Sequence, residues 1–239
     1  MDIKDVLRRR SDLSTFLVHL TRDGDGVTAK DRLKSIFTSG TIEARSMFGH
    51  AKRELEKHGL SCDSQKCVCF TETPIEHVNL MLQEISDRMC QFKPYGIAIT
   101  KKMGRLAGVN PVWYVDITPG HYWLSNRINA MIQQALLAGT FDDSDIGAIT
   151  PFIEQMGSGQ GVSGGYRKEF WWEREWRKVG NFQVPTTCIA FCPEQEIREF
   201  QEHVLFGQYD DVRFVDPCWS LEQTIAHLAY IRSADIDLV

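Results

Sequence analysis

Two carboxylates set among tryptophans make "EFWWEREWRKV", residues 169–179, the stretch of this chain best equipped for chemistry. Read as a strand, it places Glu173 and Glu175 on one face, with Trp172, Arg174 and Trp176 on the other. Next neighbours on one strand face lie about 7 Å apart, close enough to act on one substrate. A solvated, charged strand face explains the same pattern, and the stretch alone favours that plainer reading. Two further groups lie upstream. His19-Leu20-Thr21 ends an early strand and leads into Arg22 and a Gly/Asp loop, and alternation sets His19 and Thr21 on one face. Phe70-Thr71-Glu72 closes a second strand. A lone histidine at a strand end is more often a structural, hydrogen-bonded residue than a ligand contact. Glu72 either lines a cleft or favours the start of the next helix through its dipole.

The elements that must position these groups are short. Strand-like runs rich in Val, Ile, Phe and Thr occur at 16–21, 66–72, 95–100, 111–117, around 172–179, at 187–192 and at 212–215. Helical segments lie between them. "AKDRLKSIFTSG" ends at Gly40, "WLSNRINAMIQQALLAG" runs to Gly139, and Ser220 caps a C-terminal helix. "TPIEHVNLMLQEISDRM" carries a capping box, with Thr73 as cap, Pro74 at the first helical position and Glu76 after it. Several strands follow one another directly, which predicts an α+β domain and not a doubly wound sheet. "GSGQGVSGGYRK", residues 157–168, is too glycine-rich to pack a core and reads as a mobile loop feeding the glutamate strand. Trp171, Trp172 and Trp176 are expected in the core.

Composition narrows the function classes. With 43% apolar and 25% charged residues, the chain has the make-up of an ordinary soluble protein of 239 residues. A net charge of −5 offers no global attraction to nucleic acid, so phosphate contacts would need a local basic patch. No apolar run is long enough for a membrane span, and "MDIKDVLRRRSDLST" lacks the apolar centre of a signal peptide. Seven cysteines, without a zinc spacing, predict free core thiols in a reducing cytoplasm and no metal.

The order of the three groups resembles the NAD-dependent ADP-ribosyltransferases: an early H-x-T strand, a middle strand ending in an aromatic and a small hydroxyl residue, and a late glutamate after a glycine loop. Within them the chain is similar to DarT-like toxins and to the AbiGi-like abortive-infection proteins of bacteria. "VHLT…LKSIFTSGTIEA", "CFTETP", "YGIAITK" and "EREW" carry the resemblance across most of residues 14–180. It implies one domain over 1–239, with a matching core of about 14–192 and a C-terminal extension at 193–239. The implied fold is two packed, mostly antiparallel sheets with flanking helices.

The resemblance also assigns roles. Nicotinamide leaves the NAD ribose through an oxocarbenium-like transition state, which a held carboxylate stabilises. Glu175 takes that part, and Glu173 contacts the accepting group. His19 holds a ribose hydroxyl, and the Thr21–Arg22 region binds the nicotinamide amide. Thr71 braces the glutamate or ribose, and Phe70 or Tyr95 stacks on nicotinamide. Arg45 is the counterpart of a catalytic arginine, with Arg22 as its rival. Tyr166 contacts the acceptor, beside Glu72. The implied activity is mono-ADP-ribosyl transfer from NAD to an RNA or DNA base by a toxin, with a cognate antitoxin and a chaperone-like regulator as partners. NAD hydrolysis and a non-catalytic antitoxin are the alternatives.

Overall fold

Runs of β-branched and aromatic residues, closed by glycine and proline, settle into short strands separated by short helices. The computed structural model describes residues 10–85, 88, 90–161, 164–204, 209 and 211–230, and the chain is α+β. In chain order the elements are β1 (Phe16–Leu20), α1 (Ala29–Ser39), β2 (Thr41–Ile42), β3 (Ser46–Met47), α2 (Lys52–Lys57), β4 (Lys66–Thr71), α3 (Val78–Met81), β5 (Gly96–Thr100) and α4 (Lys101–Leu106). There follow β6 (Asn110–Pro111), β7 (Trp113–Asp116), α5 (Trp123–Leu137), α6 (Asp145–Ile149), β8 (Ile153–Gly161), β9 (Gly164–Lys168) and β10 (Glu175–Val179). The last are β11 (Phe182–Gln183), β12 (Thr187–Phe191), α7 (Ile197–Val204), β13 (Asp211–Val215) and α8 (Leu221–Leu228).

Contacts divide the chain into two units. The first comprises residues 1–41, 72–104 and 183–239. In it β5 lies between β1 and β12, antiparallel to both, and β13 runs parallel to β12. Gly96 to Ile99 of β5 are all buried, as expected of an interior strand covered on both faces. Val18, Leu20, Ala98, Phe191 and Val215 pack with Val78 and Met81 of α3. Elsewhere in the unit Phe37, Phe200 and Phe214 stack, with Phe37 to Phe214 at 6.0 Å and Phe200 to Phe214 at 5.9 Å between centroids. Gly96 has to be glycine, since a Cβ there would stand 2.3 Å from the His19 carbonyl. That close approach sets the β1–β5 register at His19 and Leu20.

The second unit comprises residues 42–71 and 105–182. Here β4 is antiparallel to β3 and β10, and β10 is antiparallel to β6. A second group of strands joins β7 to β8 in parallel and β8 to β9 antiparallel. The core gathers Ala51 and Leu55 of α2, Ile128, Ile132 and Ala135 of α5, and Val115, Phe141, Ile146 and Ile153. The helical spacing of 128, 132 and 135 turns one face of α5 inward and leaves Met131 and Leu137 exposed.

Three local expectations are corrected. The glycine-rich segment is not a loop: residues 157–161 and 164–168 pair as the arms of a hairpin, from Gly157 opposite Lys168 to Gly161 opposite Gly164. Main-chain hydrogen bonds need no side chains, so glycine weakens a strand without preventing it. The helix expected from Thr73 shrinks to a 3-10 turn at Ile75–His77 and the single turn α3. Later side chains close its end, Arg88 donating to the Met81 carbonyl at 2.8 Å and Gln91 to the Leu82 carbonyl at 2.6 Å. Trp171 and Trp172 lie exposed on a turn instead of in the core. Caps at Gly40 and Ser220 form as the sequence predicts, Gly40 left-handed and Ser220 in a capping box with Gln223. No helix among the described residues is long and apolar enough to cross a membrane.

Candidate functional site

Glu175 opens β10, and the turn before it decides what it meets. Residues Phe170–Glu173 form a 3-10 turn, and Arg174 adopts a left-handed conformation at φ 46°. That kink ends the strand alternation, so the expected shared face for Glu173 and Glu175 does not exist. The turn is held from β4: Thr71 lies opposite Glu175 in register, and its hydroxyl donates to the Glu173 carbonyl. The Glu175 backbone N–H donates to the Tyr114 hydroxyl at 3.1 Å, while its carbonyl accepts from Val112 N–H at 2.9 Å. Backbone position and strand entry are therefore fixed from β4 and β7.

The side chain that shares a face with Glu175 is Arg177. Its Nε donates to Glu175 Oε1 at 2.9 Å and its Nη2 to Oε2 at 2.7 Å, a bidentate fork. The same Nη2 donates to Glu154 Oε2 at 2.7 Å, and Nη1 donates to the Pro151 carbonyl at 2.6 Å. The Phe48 ring lies 5.4 Å from the guanidinium. Arg177 is only 1% exposed, whereas the side chains of Glu175 and Glu154 are 21% and 24% exposed. A buried cation thus anchors two carboxylates that still reach solvent.

Charge in this cluster is settled by neighbours. Burial opposes the Arg177 cation, but the Glu175 and Glu154 carboxylates outweigh it and hold the guanidinium charged. Burial likewise opposes ionised Glu154, yet Arg177 and Lys168 hold its carboxyl below the ordinary range. Burial, then the Glu175 charge, pushes the Cys69 thiol far up, and burial pushes Cys67 to about 11, so both remain protonated at neutral pH. One residue before the Pro151 carbonyl that accepts from Arg177, the Thr150 carbonyl accepts from the His50 backbone N–H at 3.2 Å, and His50 Nε2 meets Asn129 Oδ1 at 2.8 Å. Burial lowers its pKa, and among the described residues its Nδ1 has no hydrogen-bond partner.

The remaining sequence candidates divide between the two units. In the second unit Phe70 is buried against Phe182, with centroids 5.0 Å apart. Arg45 is exposed and pairs with Glu43 at 2.9 Å, while the arginine that meets Glu175 is Arg177. Tyr166 belongs to β9 opposite Gly159, and its side chain lies outside the described residues. In the first unit His19 is half-buried on β1 opposite Ile97. The Thr21 hydroxyl, buried, lies 2.9 Å from the Ala29 carbonyl and 3.1 Å from that of Tyr95. Tyr95 donates its hydroxyl to Glu196 at 3.1 Å, and burial raises its pKa to about 12. Arg22 is exposed, and Glu72 is buried in an ion pair with Lys101. Among the described residues no group of His, Cys, Asp and Glu is arranged to hold a metal.

Sequence reasoning missed Arg177 and Glu154. The signal for Arg177 was present, since Glu175 and Arg177 alternate onto one face once the strand begins at 175. Glu154 comes from β8, and no local pattern announces it.

Fold and cluster together define an α+β protein with a carboxylate–arginine centre at the start of one strand. A family model described as "Putative abortive phage resistance protein AbiGi, antitoxin" matches residues 34–198, and the chain belongs to this AbiGi family. No curated protein and no solved structure matches it.

Proposed function

We propose that this abortive-infection protein is an NAD-dependent mono-ADP-ribosyltransferase that modifies a nucleic-acid base, built on an ADP-ribosyltransferase-like fold. The supporting observation is Glu175: a carboxylate fixed at a strand entry by backbone bonds and a buried arginine, with part of its side chain open to solvent. A carboxylate oriented before the reaction begins is what an oxocarbenium-like transition state needs, because no reorganisation is then required when charge develops. Glu175 faces the developing ribose cation. NAD is a co-substrate, no metal takes part, and a cognate partner restrains the toxin in the cytoplasm.

Incubating the purified chain with NAD labelled in the adenine and with RNA, DNA or protein tests this. Label on nucleic acid is expected. Glu175→Gln should lower the rate about 10²–10³-fold, the usual cost of removing one preorganised electrostatic partner. If wild type and Glu175→Gln are equally harmless when expressed alone and neither consumes NAD, the transferase reading fails.

A second reading has its own support, since the family description carries the word antitoxin. On that reading the chain is a non-catalytic partner, and Arg177 locks Glu175 as structure. Neutralisation of a toxic partner by both wild type and Glu175→Gln would establish it.

A further inference from the structure

The centre holds a second carboxylate that the transferase reading does not use. Arg177 Nη2 lies 2.7 Å from Glu154 Oε2 and 2.7 Å from Glu175 Oε2, so these two oxygens cannot be further apart than twice that distance. Glu154 is itself held at its other oxygen, which accepts from the Gln155 backbone N–H at 3.1 Å and pairs with Lys168 Nζ at 3.4 Å. Lys168 closes β9, opposite Gly157, and its side chain is 37% exposed. The chain of contacts therefore runs Lys168, Glu154, Arg177, Glu175, from the glycine hairpin to the strand entry.

Simple charge counting makes this chain consequential. Two carboxylates and one guanidinium leave one net negative charge, which Lys168 offsets only from the Glu154 side, at 3.4 Å and on a partly exposed side chain. The guanidinium alone would neutralise Glu175; sharing it with Glu154 leaves negative charge available beside Glu175. Partial exposure of both carboxylates lets a cationic group approach from the solvent side, while the buried arginine holds them from within.

We propose that Glu154 is the partner carboxylate of Glu175, a positioning residue that acts through their shared guanidinium, with Lys168 of the hairpin setting how much negative charge the centre presents. This rests on the reading of Glu175 as the group facing the ribose cation. Groups facing Glu154 are Arg177, Lys168 and the Gln155 N–H, and neutral His50 lies near enough to feel its charge.

Two measurements on the full chain test it separately from the transferase reading. In ¹³C-carboxyl NMR titrations, Glu175→Gln should lower the Glu154 midpoint further, because a neighbouring like charge is gone and Arg177 serves Glu154 alone. Lys168→Met, on a partly exposed side chain, should raise the Glu154 midpoint. In NAD turnover, Glu154→Gln should lower kcat about tenfold and Lys168→Met should raise it severalfold, with opposite signs that damage to the fold would not produce. An unmoved Glu154 midpoint in Glu175→Gln overturns the proposal, as does a fall in kcat for both Glu154→Gln and Lys168→Met. Absence of turnover in wild type overturns the transferase reading instead, and the titrations then decide the coupling alone.

Discussion

Replacing Arg177 by methionine puts the anchoring role of the buried cation to the test. The side chain is 1% exposed and makes four hydrogen bonds, two to Glu175, one to Glu154 and one to the Pro151 carbonyl. Methionine fills much of the volume but leaves two close carboxylates with Lys168 alone as counter-charge and a buried carbonyl without its donor. Removing one partner of a buried ion pair costs about 3–5 kcal/mol. Glu175 and Glu154 keep 21% and 24% exposure, so water recovers part of this and the expected loss is about 3 kcal/mol. Its pH dependence has a definite sign. In wild type the folded pKa of Glu154 is depressed, so its contribution is complete above the unfolded value of about 4.3 and is lost as pH falls through the folded value. In the variant that contribution is already missing, so the gap between the two proteins narrows in acid. Urea unfolding followed by tryptophan fluorescence at pH 7 and at about pH 3 measures both quantities. A loss below about 1 kcal/mol at pH 7, or a gap that widens in acid, would refute the assignment of Arg177 as the electrostatic anchor.

Other consequences are open to equally direct measurement. Burial depresses the pKa of His50, so its neutral form supports the fold above about pH 6.5 and that support falls away as pH drops through the folded value. His50→Gln, which keeps a partner for Asn129, should flatten the stability profile between pH 7 and 5; an unchanged slope would exclude His50 as its source. Gly49 has φ +91°, and a Cβ there would stand 2.1 Å from the Thr150 carbonyl, so Gly49→Ala should cost upwards of about 2 kcal/mol and lower the melting temperature of the chain. Ser220→Ala removes the side-chain acceptor of the Gln223 N–H at the start of α8 while leaving the bond from its own backbone N–H to the Gln223 side chain, an expected loss of about 1 kcal/mol localised by hydrogen exchange to residues 220–228.

Much of this molecule was legible in the chain itself, where local rules operate. Apolar runs at 16–20, 66–71, 96–100 and 187–191 became strands because their period and β-branched content suit a covered sheet. Gly40 and Ser220 capped helices because cap chemistry is settled within one turn. Membership in an abortive-infection family was likewise readable from linear blocks. Tertiary structure decided the rest. Whether Glu173 joined Glu175 depended on a left-handed residue at 174 and a hydroxyl on β4, and the glycine stretch became a hairpin because each arm found the other's backbone. Above all, the partner of Glu175 was chosen in space: β8 supplied Glu154 and β10 supplied Arg177, because a buried guanidinium has to satisfy its donors with whatever acceptors the packed elements bring within reach.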